Sequence, residues 1–426
     1  MPLLDRRDFI AGTVASGVAL ATRRVARASE ANRTVVLALM GANDRGSQLM
    51  ERFANRSDVR IAYVCDPDER AIAKAINAVT SQGRAAPQGV KDFRRALEDP
   101  AVDGIICAAP NHWHAAATVA ACNAGKHVYV EKPCSHTPDE GDMMIAAAAK
   151  SGKVVQVGMQ RRSGPLYREA VERLRAGAIG DVLLGKAWYF RDRPPLGHSA
   201  ESAPPAWLDY SLWQGPAPER PYRDNTLHYN WHFFWHWGNA ELGNNGVHTL
   251  DLCRWALGVD YPSRVSVSGT RARYDDDQQT PDTTIACFDC NGKMIVWEAV
   301  SWAAPYNAAG GVGLEFRGGE GTMFIDDRAY TIYDRKGKQV ERKEASRGDD
   351  EHVTNFLDAI REGVPLNANL EEGHKSAMFC HLGNISYRCG QTLEVDSASG
   401  EVKNCPTAAN YWGREYRPGW SPQELS

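Results

Sequence analysis

The chain has 426 residues, with 49 Lys and Arg against 53 Asp and Glu, a net charge of −4 and 43% hydrophobic residues. That balance excludes collagen-like, disordered and polytopic membrane proteins, and the length suits two or three domains with a core each. No basic stripe with interleaved aromatics follows the first few residues, which argues against a nucleic-acid partner.

The N-terminus departs from this average. Asp5-Arg6-Arg7-Asp8-Phe9-Ile10 is a twin-arginine pattern, and a weakly apolar run from Ala11 to Ala21 follows it. That run is too short to span a bilayer, which takes about 20 residues. Ala26-Arg27-Ala28 then supplies the small residues of a cleavage site. The expectation is a signal peptide over 1–28, handed to the twin-arginine export machinery, and a periplasmic or otherwise exported mature protein with no membrane span. Removing it takes away five Arg and two Asp, leaving 44 basic and 51 acidic residues, a net charge of −7. This pathway carries proteins already folded, so a cofactor loaded before export is expected.

Thr34 to Met40 is a continuous apolar run, as in a strand buried on both faces. It leads into Gly41-Ala42-Asn43-Asp44-Arg45-Gly46, a helical stretch from Ser47 to Ala54, and a second strand from Val59 to Cys65 that ends on Asp66. Strand, glycine turn, helix, strand and acid form the dinucleotide-binding βαβ pattern, with the acid 20 residues after the last glycine. Gly41, Asn43, Arg45, Gly46 and Asp66 are therefore candidate cofactor-binding residues. Asn43 replaces the second glycine, and asparagine tolerates left-handed backbone angles. A carboxylate at Asp66 repels a 2′-phosphate, so NAD is expected over NADP.

Helices near Pro67–Val79 and Phe93–Glu98 come next, then the strand Gly104–Ala109, an Ala-rich helix to Ala124 and the strand Val128–Val130. Ligands of open parallel sheets lie at the carboxyl ends of strands. There stand Pro110, Asn111, His112 and His114 after one strand, and Glu131, Lys132 and Pro133 after the next. Residues 29–153 are read as a Rossmann NAD-binding α/β domain.

From Val154 the pattern changes to strands separated by turns, over Gly185–Arg191, Val265–Tyr274, Thr283–Cys290, Lys293–Trp302, Gly313–Arg317, Gly321–Ile325 and Tyr330–Tyr333. Residues 154–426 are read as an α+β substrate and oligomerisation domain on a large, mostly antiparallel open sheet. An exposed sheet face predicts a homo-oligomer. Late helices near Glu351–Glu362 and Glu371–Cys389 are expected to pack back toward the first domain. Cys287 and Cys290 have the spacing of a zinc half-site, but no second pair accompanies them, and Asn291-Gly292 points to a hairpin. No metal is expected.

Gly125-Lys126-His127-Val128-Tyr129-Val130-Glu131-Lys132-Pro133 and Gly243-Asn244-Asn245-Gly246-Val247-His248-Thr249-Leu250-Asp251 resemble the two signatures of the glucose-fructose oxidoreductase, inositol dehydrogenase and MocA family (Gfo/Idh/MocA). The resemblance runs from Thr34 to about Tyr416 and is nearest to an exported, twin-arginine branch. It implies catalytic roles for Lys132, as base beside a nicotinamide, for His248 as second acid/base group, and for Asp251, which orients His248 or holds a hydroxyl. It also implies cofactor contacts from Pro110, Asn111, His114, Glu131 and Lys132. Asn244 stands where many relatives carry Asp; an amide holds a hydroxyl but accepts no proton.

His228 to Trp237 is the densest aromatic cluster in the chain, and aromatic faces stack on sugar C–H faces. Asn244, His232, Trp235 and Trp237 are the expected substrate contacts. The four-residue spacing of His228, His232 and His236 also resembles a helical metal face, though with no acidic or Cys partner nearby. Arg161 and Arg162 border the pocket as structural residues. The leading reading is an NAD-dependent oxidoreductase acting on a sugar or glycoside with a tightly bound cofactor. The alternatives are a glycosidase that uses the same cofactor for transient oxidation and elimination, and a redox-silent sugar-binding protein.

Overall fold

A computed structural model describes residues 34–305 and 311–425. The expected export signal lies outside the described residues.

The first sheet has six parallel strands in the order β3-β2-β1-β4-β5-β6: β1 (Val35–Met40), β2 (Val59–Cys65), β3 (Gln88–Val90), β4 (Gly104–Cys107), β5 (His127–Val130) and β6 (Val155–Val157). Leu37, Leu39, Ile106, Val128 and Val130 are fully buried, because helices cover both faces of the sheet. β6 belongs to this sheet, so a boundary at residue 153 cuts the last strand away; Val-Gln-Val is too short for its periodicity to mark a strand. The order reverses between β1 and β4, opening a crevice at the strand ends there.

The second sheet has nine strands in the order β14-β13-β12-β11-β7-β10-β9-β8-β15. They are β7 (Val182–Phe190), β8 (Arg264–Thr270), β9 (Thr283–Asp289), β10 (Met294–Val300), β11 (Val312–Gly318), β12 (Gly321–Ile325), β13 (Ala329–Asp334), β14 (Gln339–Glu344) and β15 (Leu393–Glu394). All its pairs are antiparallel except β7 with β10. Ile295, Trp297 and Ala299 of β10 point inward and their neighbours outward, the period of a sheet with one face on a core. Against that core lie the helices Val247–Leu257 and Leu370–Cys389. Asn291 (φ 55°) and Gly292 (φ 91°) turn the β9–β10 hairpin, with Cys287 half-buried on β9 and Cys290 buried at its end, where burial raises its thiol to about 12.

The helix Asp349–Glu362 returns to the first domain. Val353, Phe356 and Leu357 share one core with β1, β2 and the helix Asp44–Ala54, and Phe356 meets Phe53 and Tyr129 edge-on. The Gln156 amide donates to the His352 carbonyl (2.9 Å), and Arg361 pairs with Asp58 (2.7 Å).

Candidate active site

A cleft of about 490 Å³ runs from the β1 turn to the start of the helix Val247–Leu257. At one end, Gly41 adopts φ 86°, and a side chain there would put its Cβ 2.7 Å from the Ala108 backbone. A Cβ on Gly46 would lie 1.8 Å from the Gly41 carbonyl. Only glycine at these positions lets the turn close on the end of β4 and on its own helix, which brings the backbone and the helix N-terminus within reach of a pyrophosphate. Asn43 is extended (φ −90°, ψ 168°) and the left-handed residue is Asp44 (φ 32°), so tolerance of left-handed angles is not why Asn43 fits.

The Asp66 carboxylate accepts from the amides of Ala42 (2.7 Å) and Asp68 (2.9 Å), and burial pushes it above its ordinary range. Around it a segment of the second domain closes over the first. Asp209 N–H donates to Pro67 O (3.0 Å), Glu69 N–H to Trp207 O (3.1 Å), and Arg70 lies 3.2 Å from the Trp207 ring centroid. His228 Nε2 is 2.8 Å from Asp68.

At the other end Lys132, just beyond β5, donates from Nζ to the Asn244 carbonyl (2.8 Å). Burial pushes its ammonium below the ordinary lysine range, against the pull of Glu131. Glu131 is itself held by Arg45 Nε at 2.7 Å, and a Cβ on Gly158 would sit 2.7 Å from that carboxylate. His248 shares the cleft with Lys132. Burial, then the charges of Lys132 and Arg161, push its ring well below the usual range, and its Nδ1 is buried with no hydrogen-bond partner. Gly41, Asn43, Arg45, Asp66, Pro110, Asn111, His114, Glu131, Lys132, His232, Asn244 and His248 all line this one space. Gly46 supports the turn from behind.

Three expected residues stand elsewhere. Asp251 is 1% exposed and receives both Arg162 Nε (2.9 Å to each oxygen) and the Ser376 hydroxyl (2.6 Å), so it neither orients His248 nor reaches the cleft. Trp237 is buried against Trp213 (5.4 Å) and Phe234 (5.9 Å), and Trp235 turns to Tyr387 and Arg388. The reason is local. The segment is a 3-10 turn over Asn230–Phe233 followed by extended Phe234, so helical spacing does not hold. The three histidines diverge accordingly, His228 to Asp68, His232 to Tyr229 O (2.6 Å) and His236 to Pro218 O (2.7 Å).

Other groups in the cleft went unread in the sequence. Tyr229 accepts at its hydroxyl from Asn244 Nδ2 (3.0 Å) and Arg193 Nη2 (3.0 Å), and Arg193 is anchored by Glu241 (2.6 Å). Gln160 presents a buried, unpartnered carbonyl oxygen, and Trp231 stacks on His232 at 3.5 Å. Tyr229 lay in the aromatic run; Gln160 carried no sequence signal beyond its place after β6.

Two family models match. The Gfo/Idh/MocA "Oxidoreductase family, NAD-binding Rossmann fold" covers residues 35–159, and its "C-terminal alpha/beta domain" covers residues 184–422. A glycosyl hydrolase family 109 protein of Shewanella pealeana is 26% identical over 181 residues, which cover 42% of this chain and 40% of the relative. The chain thus matches less than half of that relative's length. Levoglucosan dehydrogenase, solved with NADH and levoglucosan, superposes with a TM-score of 0.66 at 19% identity, covering 84% of this chain and 99% of that one. The WlbA dehydrogenase of Bordetella pertussis, solved with NADH and UDP-GlcNAcA, gives a TM-score of 0.66 at 18% identity, covering 85% and 99%. At these identities the likeness is one of fold.

Proposed function

This chain belongs to the Gfo/Idh/MocA oxidoreductase family, and from that premise we propose that it oxidises or reduces a ring carbon of a sugar or glycoside, with NAD kept bound between turnovers. The observation that carries the reading is the position of Lys132: a buried ammonium with lowered pKa, in one cleft with the glycine cradle, Asp66 and the unpartnered His248 nitrogen. The cradle fits a pyrophosphate, since its two glycines leave no room for side chains, and Asp66 suits ribose hydroxyls while repelling a 2′-phosphate. Bound NAD supplies the hydride acceptor.

The chain's own groups do the rest. Lys132 takes the proton of the hydroxyl being oxidised, helped by its lowered pKa. His248, neutral near pH 7, offers Nδ1 to a neighbouring hydroxyl. Asn244 and Tyr229, fixed by Arg193, orient the ring, and Trp231 with His232 forms a wall. The segment closed over Asp66 supports a retained cofactor, as suits a protein exported by the twin-arginine route to a compartment with no nicotinamide pool.

A second reading is a glycosidase that oxidises, eliminates and re-reduces one sugar. It is favoured by the family 109 likeness and by the Tyr229 hydroxyl, a further proton-carrying group beside Asn244.

The test begins with purified mature protein, denatured and assayed for released nucleotide. About one equivalent of NAD is expected; no nucleotide, and none bound on addition, refutes both readings. Incubation with glycosides then separates them: reduced cofactor marks the dehydrogenase, released aglycone the glycosidase. Export is tested by replacing Arg6 and Arg7 with Lys, which should leave unprocessed precursor in the cytoplasm.

A further inference from the structure

On the other side of the 228–237 segment lies a second cavity of about 340 Å³, walled by Trp235 to Asn239, by the end of the helix Leu370–Cys389 and by residues 410–415. It takes no part in the chemistry above. Arg220, Arg388 and Arg414 all line it. The Arg388 guanidinium lies 3.8 Å from the ring centroid of Tyr411 and 5.1 Å from that of Trp235.

The charges in this cavity are poorly balanced. Among the described residues, neither Arg388 nor Arg220 forms an ion pair. Arg414 lies 3.7 Å from Glu140 and donates to His136 Nδ1 (3.0 Å), but its Nη2 is buried with no partner, on a side chain 9% exposed. Of the carboxylates at the cavity, Glu219 is committed to Arg417 (2.9 Å) and Glu415 stands exposed at the rim. The histidines do not add charge: burial lowers His236 to about 4 and His381 to about 3, so both are neutral at pH 7.

We propose that this cavity binds the oxyanion of a small molecule, a carboxylate or a sulfate, with Arg388 as its main donor. Arg388 is stacked close to the Tyr411 ring, and beyond its contact with the Tyr411 hydroxyl it has N–H donors that no carboxylate pairs among the described residues, which suits an oxyanion. Arg220 at the rim adds a second positive charge, and the half-buried Trp235 offers an apolar surface to the rest of the ligand. Burial also pushes Arg388 below the ordinary arginine range, as follows from a cation without a counter-charge.

The experiment is calorimetric titration of the mature protein, at fixed ionic strength, with sodium sulfate, sodium glucuronate and, as neutral control, glucose. Saturable binding of about one equivalent of an oxyanion is expected. Binding should weaken about tenfold or more in Arg388→Gln and in Arg220→Gln, with the bound nucleotide content unchanged. Tighter binding of glucuronate identifies a carboxylate site, tighter binding of sulfate a tetrahedral one. No binding of either anion, or binding that survives both substitutions, overturns the proposal. Arg220 lies at the surface, so its variant folds even if Arg388→Gln does not.

Discussion

The two ends of the cleft are built on opposite principles. Around Asp66 nearly every polar group is already engaged: its oxygens take two amides, Asp68 takes His228, and backbone bonds run across to Trp207 and Asp209. Around Lys132 the side chains stand on rigid strand and helix ends, yet His248 Nδ1 and the Gln160 oxygen are left without partners at a cost in stability. Saturated contacts retain a ligand, whereas unsatisfied groups wait for one. Under the proposed function, the first end holds the nucleotide and the second carries the reaction.

The sharpest way to break that division is Lys132→Met. Turnover should fall about 1,000-fold or more while nucleotide content stays at wild-type level, read by stopped-time assay and by release on denaturation. If deprotonated Lys132 is the base, as proposed, the oxidation rate of the unmodified protein should rise with pH and level off below the ordinary lysine pKa of about 10.4. A rate independent of pH would remove Lys132 from the proton path.

Next in size is Asp251→Asn. It leaves Arg162 buried against a single remaining carboxylate, Glu372, so unfolding by urea should show a loss of about 3 kcal/mol. KM should stay unchanged if Asp251 only supports the helix that carries His248. His248→Gln comes third: kcat should drop about 100-fold with stability held within about 1 kcal/mol. The smallest effect belongs to the holding end. Trp207→Ala with His228→Ala should raise nucleotide loss on dialysis about tenfold and leave turnover intact when NAD is added. If instead this pair abolishes turnover under saturating NAD, the two ends are one functional unit.

Much of the holding end was legible in sequence because its logic is local. Gly41, Gly46 and Asp66 sit at fixed offsets from two apolar strands, and the backbone itself demands those glycines. The reaction end was legible only in part. Lys132 and His248 came from motifs, whereas Asp251 was misread because three-residue spacing says nothing of Arg162, brought from another element to capture it. The aromatic run failed for the same reason. Its composition points to one set of substrate contacts, but the break from the 3-10 turn into extended Phe234 divides it, sending Trp231 to the cleft, Trp237 to the core and Trp235 to the second cavity. Strand β6 and the segment over Asp66 are set by partners distant in sequence, which periodicity does not report.

The helix Asp349–Glu362 has a bearing on how the molecule is made. Phe356 and Leu357 fill the same core as Phe53 and Leu37, so the core of the first domain is incomplete until the chain has been made through Glu362. Part of the apolar face of its sheet stays uncovered while all fourteen strands up to Glu344 are synthesised. The core behind the glycine turn therefore closes only after strands β7 to β14 of the second sheet have been made.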